Sequence, residues 1–174
     1  MGLRNVSGAG GQKLARAIRL TGGQNMEFRV LSAEDRAAVT SLFADVFTNE
    51  PWNDDWSDTE QLDAYIADLT GQSYSLTLGY YDGDRLAALS MGYIKHWYSG
   101  TEYCIDEFCV GRPYQGRGVG SAFLREIESY LRERNICQIF LQTENDVPAY
   151  AFYKRRGFQE LEGHVSFGKR IDGI

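Results

Sequence analysis

The sequence predicts an α+β protein built as mixed-sheet α/β layers, with the element order β-α-α-β-β-β-α-β-α-β. Three observations carry this. Apolar residues recur at helical spacing from Val39 to Leu69, give way to β-branched and aromatic runs between Tyr74 and Val110, and return to helical spacing after Val119. A glycine-rich stretch, residues 111–120, lies between the last of those runs and the helix that follows. The 174 residues, 43% hydrophobic and 24% charged, suffice for a sizeable core, and no repeat of 20–50 residues is visible.

Phe28 to Leu31 reads as the first strand. Ser32, with Asp35 three residues on, caps a helix whose stripe is Val39, Leu42, Phe43, Val46 and Phe47, and Pro51 ends it. Pro51 to Trp56 is an aromatic, acidic loop. Ser57 or Asp58 caps a second helix carrying Leu62, Tyr65, Ile66 and Leu69, with Gly71 as its stop. Three strands follow as an antiparallel meander: Tyr74–Tyr81, Arg85–Trp97 and Thr101–Val110. Asp82-Gly83-Asp84 and Ser99-Gly100 are the turns, and the second strand is long enough to need a bulge or a break. An amphipathic helix runs from Val119 to about Glu133, and a buried-type strand from Ile136 to Gln142. Pro148 starts a short helix that ends before Gly157, and Phe158 to Ile171 reads as a last strand. The segment from Thr101 to Gln142 is a parallel crossover.

Charge is unevenly spread over a net −6. Residues 1–26 hold Arg4, Lys13, Arg16 and Arg19 and no acid, so they carry +4 and the remainder −10. Residues 1–25 read as a disordered leader or an appended segment, with Met26 as a possible functional start, and 26–174 as one domain. Between Arg36 and Arg85 there is no Lys or Arg, while ten acids occur, from Asp45 to Asp84. Such a stretch is either solvated surface or an electrostatic funnel for a cation. The acidic balance excludes sequence-independent nucleic-acid binding, and no apolar run approaches the ~20 residues of a membrane span. Cys104, Cys109 and Cys137 are odd in number and form no CxxC, and with two His they make no recognisable zinc site. No metal is expected. The cysteines read as reduced thiols, which suits a cytoplasmic location.

Residues 115–120, Gln-Gly-Arg-Gly-Val-Gly, stand directly between a strand and a helix. Glycines let backbone N–H groups turn toward a ligand, and the helix N-terminus adds unpaired N–H groups and positive dipole. That is a nest for a pyrophosphate, with Arg112 and Arg117 as mobile charge. There is no Gly-Lys-Ser/Thr of a nucleotide P-loop and no GxGxxG, so nucleotide hydrolysis and hydride transfer are poor fits.

The pattern Val110-x-x-x-x-Gln115-x-x-Gly118-x-Gly120 resembles the acetyl-CoA signature Q/R-x-x-G-x-G/A of the GNAT N-acetyltransferases. Ala149 to Phe158 resembles that superfamily's second motif, A-x-x-L/F-Y-x-x-x-G-F. The element order also matches the GNAT fold, and the resemblance spans residues 27 to about 171. One departure is Asp146, where the family often has Asn. Ile105-Asp106-Glu107-Phe108 is further similar to the I-D-Q-L/F segment of aminoglycoside 6'-N-acetyltransferases.

The resemblance implies direct acetyl transfer from acetyl-CoA to a primary amine. It implies cofactor contacts from Phe108, Cys109, Val110, Gln115, Gly116, Arg117, Gly118, Val119, Gly120, Asp146 and Tyr153. A carboxylate must take the amine proton. Asp106 and Glu107 are the candidates; adjacent on a strand, they are expected on opposite faces, and the family match favours Asp106. A backbone N–H between Phe108 and Val110 is implied for the oxyanion, and Tyr153 as proton donor to the leaving thiolate. Nothing near Cys109 in the sequence activates it for an acyl-cysteine route. Trp52, Asp54 and Asp55 lie where the family forms its acceptor wall, and with Asp106 and Glu107 they suit a small polycation, an aminoglycoside at its 6'-amine. A polyamine, another small amine or a protein amino terminus is the alternative acceptor, and a non-catalytic acyl-CoA sensor the alternative class. By analogy with the family, a homodimer is possible.

Overall fold

The computed structural model describes residues 15–19 and 25–171. The chain clusters as two compact units, Met1–Gln142 and Thr143–Ile174.

The first unit holds a six-stranded sheet in sequence order: β1 (Ala15–Arg19), β2 (Asn25–Val30), β3 (Ser75–Asp82), β4 (Arg85–Trp97), β5 (Gly100–Val110) and β6 (Gln138–Leu141). Neighbours pair antiparallel except β5 and β6, which are parallel and joined through α3 (Val119–Arg132). The sheet is therefore mixed, as expected. Of the expected leader, residues 1–14 and 20–24 lie outside the described residues. Ala15–Arg19 is instead a strand, with Ala15 opposite Arg29 and Arg19 opposite Asn25. Its sequence, Ala-Arg-Ala-Ile-Arg, has one large apolar residue and so no readable alternation; backbone pairing with β2 orders it.

Helix α1 (Arg36–Phe47) begins one turn later than expected, after a 3₁₀ turn at Ala33–Asp35. Ser32 and Asp35 form a reciprocal cap there: the Asp35 carboxylate accepts from the Ser32 N–H at 2.9 Å, and Ser32 Oγ accepts from the Glu34 N–H. For α2 (Thr59–Thr70) the cap is Asp58 rather than Ser57, accepting from the Glu60 and Gln61 N–H groups at 3.0 and 3.1 Å. Gly83, at φ +59, makes the β3–β4 turn.

Two apolar clusters flank the sheet. On one side α1 and α2 bury Phe43, Val46, Leu62 and Ile66 against Leu89, Met91 and Cys109. On the other, α3 buries Phe123, Ile127 and Leu131 against Phe28, Tyr80, Tyr103 and Ile105. Phe123 is fully buried at the centre, its ring 5.4 Å from Tyr80, 5.6 Å from Phe108 and 6.1 Å from Phe28. Ladder slips occur at two places. Tyr80 pairs with Ala88 but Tyr81 with Leu86, so Ala87 is an extra residue on β4. Met91 pairs with Glu107 but Gly92 with Ile105, so Asp106 is an extra residue on β5. The bulge expected in the long strand is the first of these; the second was not expected.

The second unit contains α4 (Pro148–Arg155), with proline in its first turn, and the Lys154–Glu160 ion pair at 3.0 Å. The expected strand from Phe158 to Ile171 does not form: these residues pair in no ladder. Gly163 stands at φ +94, and Val165 and Phe167 are exposed, so the β-prone residues there have no face to bury.

Candidate active site

Strand β5 pairs with β4 as far as Val110, but with β6 only from Glu102 to Ile105. From Asp106 onward its other edge faces none of the described strands. That edge is the stretch Phe108–Cys109–Val110, for which backbone contacts to an acyl-CoA are expected.

The loop after β5 is built by its glycines. A 3₁₀ turn at Arg112–Tyr114 tucks the buried Tyr114 ring under the chain, and its hydroxyl donates to Asp82 Oδ2 at 3.2 Å. Gln115 turns back, its Nε2 donating to the Val110 carbonyl at 2.9 Å. Gly116 and Gly118 follow at φ +70 and +79, in the left-handed region that side chains disfavour. A Cβ at either would meet nothing within 4 Å, so both backbones face open space. Gly118 is the N-cap of α3 and supplies no side-chain cap, which leaves the first N–H groups and the positive end of the dipole presented to that space. Val119 anchors the helix start in the core, while Arg112 and Arg117 are exposed. Open strand edge, glycine nest and uncapped helix N-terminus together fit a pantetheine arm followed by a pyrophosphate.

The bulge changes the disposition of the two carboxylates. Strict alternation would put Asp106 and Glu107 on opposite faces; with Asp106 inserted, both lie on the α2 side. Glu107 accepts a hydrogen bond of 2.5 Å at Oε1 from the Tyr65 hydroxyl of α2. Asp106 lines a cavity of about 490 Å³ with Asp68 of α2, Gln72 just beyond that helix, Tyr74, Tyr93 and Lys95. Burial pushes the Glu107 carboxyl up to about 7; the Tyr65 hydrogen bond pulls it down, and the charges of Asp106 and Asp54 push it up. Asp106 is raised by partial desolvation. Burial, then the bond to Glu107, holds the Tyr65 hydroxyl above its usual value, so it remains a donor. Because the folded value of Glu107 lies above 4.5, its contribution to stability is full below that pH and is lost as pH rises through about 7.

The α1–α2 connection supplies the aromatic wall. Trp52 packs on Phe47 at 5.6 Å, and Trp56 meets Phe43 edge-on at 5.3 Å and stacks on Tyr65 at 5.0 Å. Asp54 and Asp55 are exposed. The charge of Asp54 acts on both Glu107 and Tyr65, whereas Asp55 is engaged locally, accepting from the Ser57 N–H at 3.1 Å. Thus Asp54 is brought toward the carboxylates, while Trp52 contacts α1. The Cys109 thiol is buried in the α1–α2 cluster and pushed up by that burial, so no thiolate is available for acyl transfer. In the second unit, Tyr153 is buried with its ring 5.2 Å from Phe158 and 5.3 Å from Phe152, and Asp146 is exposed just before α4.

Tyr65 was legible only as part of an apolar stripe. Its signal was a glycine: a Cβ on Gly92, opposite the bulge, would lie 2.0 Å from the Cys104 carbonyl oxygen. A glycine inside a strand marks such close approach, and the bulge it permits turns Glu107 to α2.

Residues 36–158 match the model of the acetyltransferase (GNAT) family. The fold is similar to that of a possible acetyltransferase from Clostridium difficile 630, at TM-score 0.72 and 17% identity over 84% of this chain and 98% of that one. It is similar to an aminoglycoside acetyltransferase from an uncultured soil metagenomic sample, at TM-score 0.64 and 21% identity over 83% and 99%. It is also similar to the aminoglycoside N-acetyltransferase AAC(6')-Iy in complex with CoA, at TM-score 0.66 and 13% identity over 87% and 99%.

Proposed function

The chain belongs to the acetyltransferase (GNAT) family and is an acetyl-CoA-dependent N-acetyltransferase; from that premise we propose that its acceptor is a primary amine on a small polycation, an aminoglycoside at its 6'-amine. The observation that carries the acceptor class is the pair of adjacent carboxylates, Asp106 and Glu107, facing α2 from β5 where the open edge begins. The run without Lys or Arg from Ala37 to Asp84 and the aminoglycoside acetyltransferases among similar folds support it.

Phe108, Cys109 and Val110 pair their backbones with the pantetheine arm. Residues 115–120 hold the pyrophosphate, with Arg117 and Asp146 completing the cofactor contacts. One N–H between Phe108 and Val110 stabilises the oxyanion. A β5 carboxylate takes the amine proton, and Tyr153 protonates the leaving thiolate. Trp52, Asp54 and Asp55 form the acceptor wall. Release of CoA thiol measured across kanamycin-type aminoglycosides, polyamines and neutral amines tests the acceptor class. Turnover confined to neutral or acidic amines overturns it.

Two further results are expected. Tyr153→Phe keeps acetyl-CoA binding and lowers kcat by ~10²-fold or more, because the phenol is the proton donor; unchanged turnover makes Tyr153 a packing residue. Asp54→Asn raises the acceptor KM with little change in kcat, and the wild-type acceptor KM rises with salt, since screening acts over ~8 Å at physiological ionic strength. A KM indifferent to salt removes the funnel.

A further inference from the structure

We infer that Glu107, rather than Asp106, is the carboxylate that takes the amine proton, and that Tyr65, reaching from α2 to its Oε1, is the residue that positions it. This rests on the transfer reaction proposed above and divides the labour between its two carboxylates.

Four observations support the division. The bulge at Asp106 turns Glu107 to the α2 face while leaving Asp106 solvent-exposed at a cavity rim. Glu107 is held by a 2.5 Å bond to a tyrosine that stacks on Trp56 and packs 5.7 Å from Phe43, so its rotamer is locked by aromatic packing. Asp106 accepts from no comparable donor among the described residues. Finally, the position is Gln in the I-D-Q-L/F segment this strand resembles, and an amide cannot take a proton; this chain has Glu.

The groups acting on Glu107 are Tyr65 from α2, Asp106 beside it and Asp54 from the α1–α2 connection; no cation is among them. A carboxylate in that setting is poised near neutrality, where a general base is most useful. The Tyr65 hydroxyl occupies Oε1, and Oε2 takes one proton from the acceptor ammonium. The freed amine nitrogen then bonds to the acetyl carbon as the C–S bond breaks. The remaining surplus proton on nitrogen passes to the CoA sulfur, and Glu107 returns its own to solvent. Asp106, at the cavity rim, holds the cation.

The test combines pH–rate profiles with carbon-detected NMR titration of the Glu107 carboxyl in the full chain. In the wild type, kcat/KM rises on an acidic limb near pH 7, and the carboxyl titrates there. Glu107→Gln lowers kcat by ~10²-fold or more and removes that limb, with acetyl-CoA binding intact. Tyr65→Phe deletes a bond to the charged form, so limb and titration move to higher pH. Asp106→Asn deletes a like charge, so both move to lower pH. These opposite shifts are not produced by a merely structural tyrosine. A limb that persists in Glu107→Gln, or a Glu107 carboxyl indifferent to both neighbours, overturns the assignment while leaving acetyl transfer in place. A wild type that binds acetyl-CoA and acetylates no amine overturns the transfer reaction itself, and this role with it.

Discussion

Gly118→Val is expected to abolish the stabilisation that acetyl-CoA confers. For the wild type, ligand at a hundredfold excess over Kd adds ~2.7 kcal/mol to the folded state. Gly118 stands at φ +79 with open space where a Cβ would project, at the N-cap of α3. Valine is doubly unsuited: its branched side chain is strained at positive φ, and it fills the open space in which we propose that the pyrophosphate lies. The strain itself lowers the unliganded stability by roughly 1–3 kcal/mol. The informative quantity is therefore the difference between melting with and without acetyl-CoA, measured on protein shown to be folded by circular dichroism. A folded Gly118→Val protein with the full wild-type shift would place the phosphates elsewhere.

Phe123→Ala is expected to give the largest loss of stability. The side chain is fully buried and lies against Phe28, Tyr80 and Phe108, so its removal costs both transfer free energy and a cavity that three rigid rings refill poorly. A loss of about 3–5 kcal/mol follows from such truncations, or a fall in Tm of roughly 6–20 °C. Phe108 belongs both to this cluster and to the strand edge proposed for acetyl-CoA, so the variant should also weaken cofactor binding. Chemical denaturation with an unchanged m-value reports the first effect. A loss below about 1 kcal/mol would mean that α3 does not cover the sheet as described.

Much of the frame is written locally. The meander from β3 to β5 was legible because β-prone runs are punctuated by glycine turns, and the α2 boundaries because Asp58 and Gly71 act within one helical turn. The glycine loop was legible because its backbone conformations at Gly116 and Gly118 admit few other residues. What escaped is non-local. β1 is ordered by a partner strand rather than by its own pattern, and residues 158–171 have β-prone side chains without a ladder. The Tyr65–Glu107 contact joins residues 42 positions apart, and it depends on one inserted residue reversing the phase of a strand. Alternation, the rule that reads strands well, is the rule that a bulge suspends.

That bulge also governs how the chain is compared with others. Across Asp106 the faces of β5 exchange odd for even positions: Tyr103 and Ile105 join the α3 cluster before it and Phe108 and Val110 after it, while Glu107 and Cys109 face α2. Asp106 is thus a supernumerary letter in an otherwise continuous word. A relative with an unbroken strand here can be aligned only by opening a one-residue gap at position 106. Without the gap, every position on one flank is matched to its neighbour from the opposite face, and residues packed under α3 are compared with residues packed under α1 and α2. Glu107, which faces Tyr65, would then be paired with residues that point to the other side of the sheet.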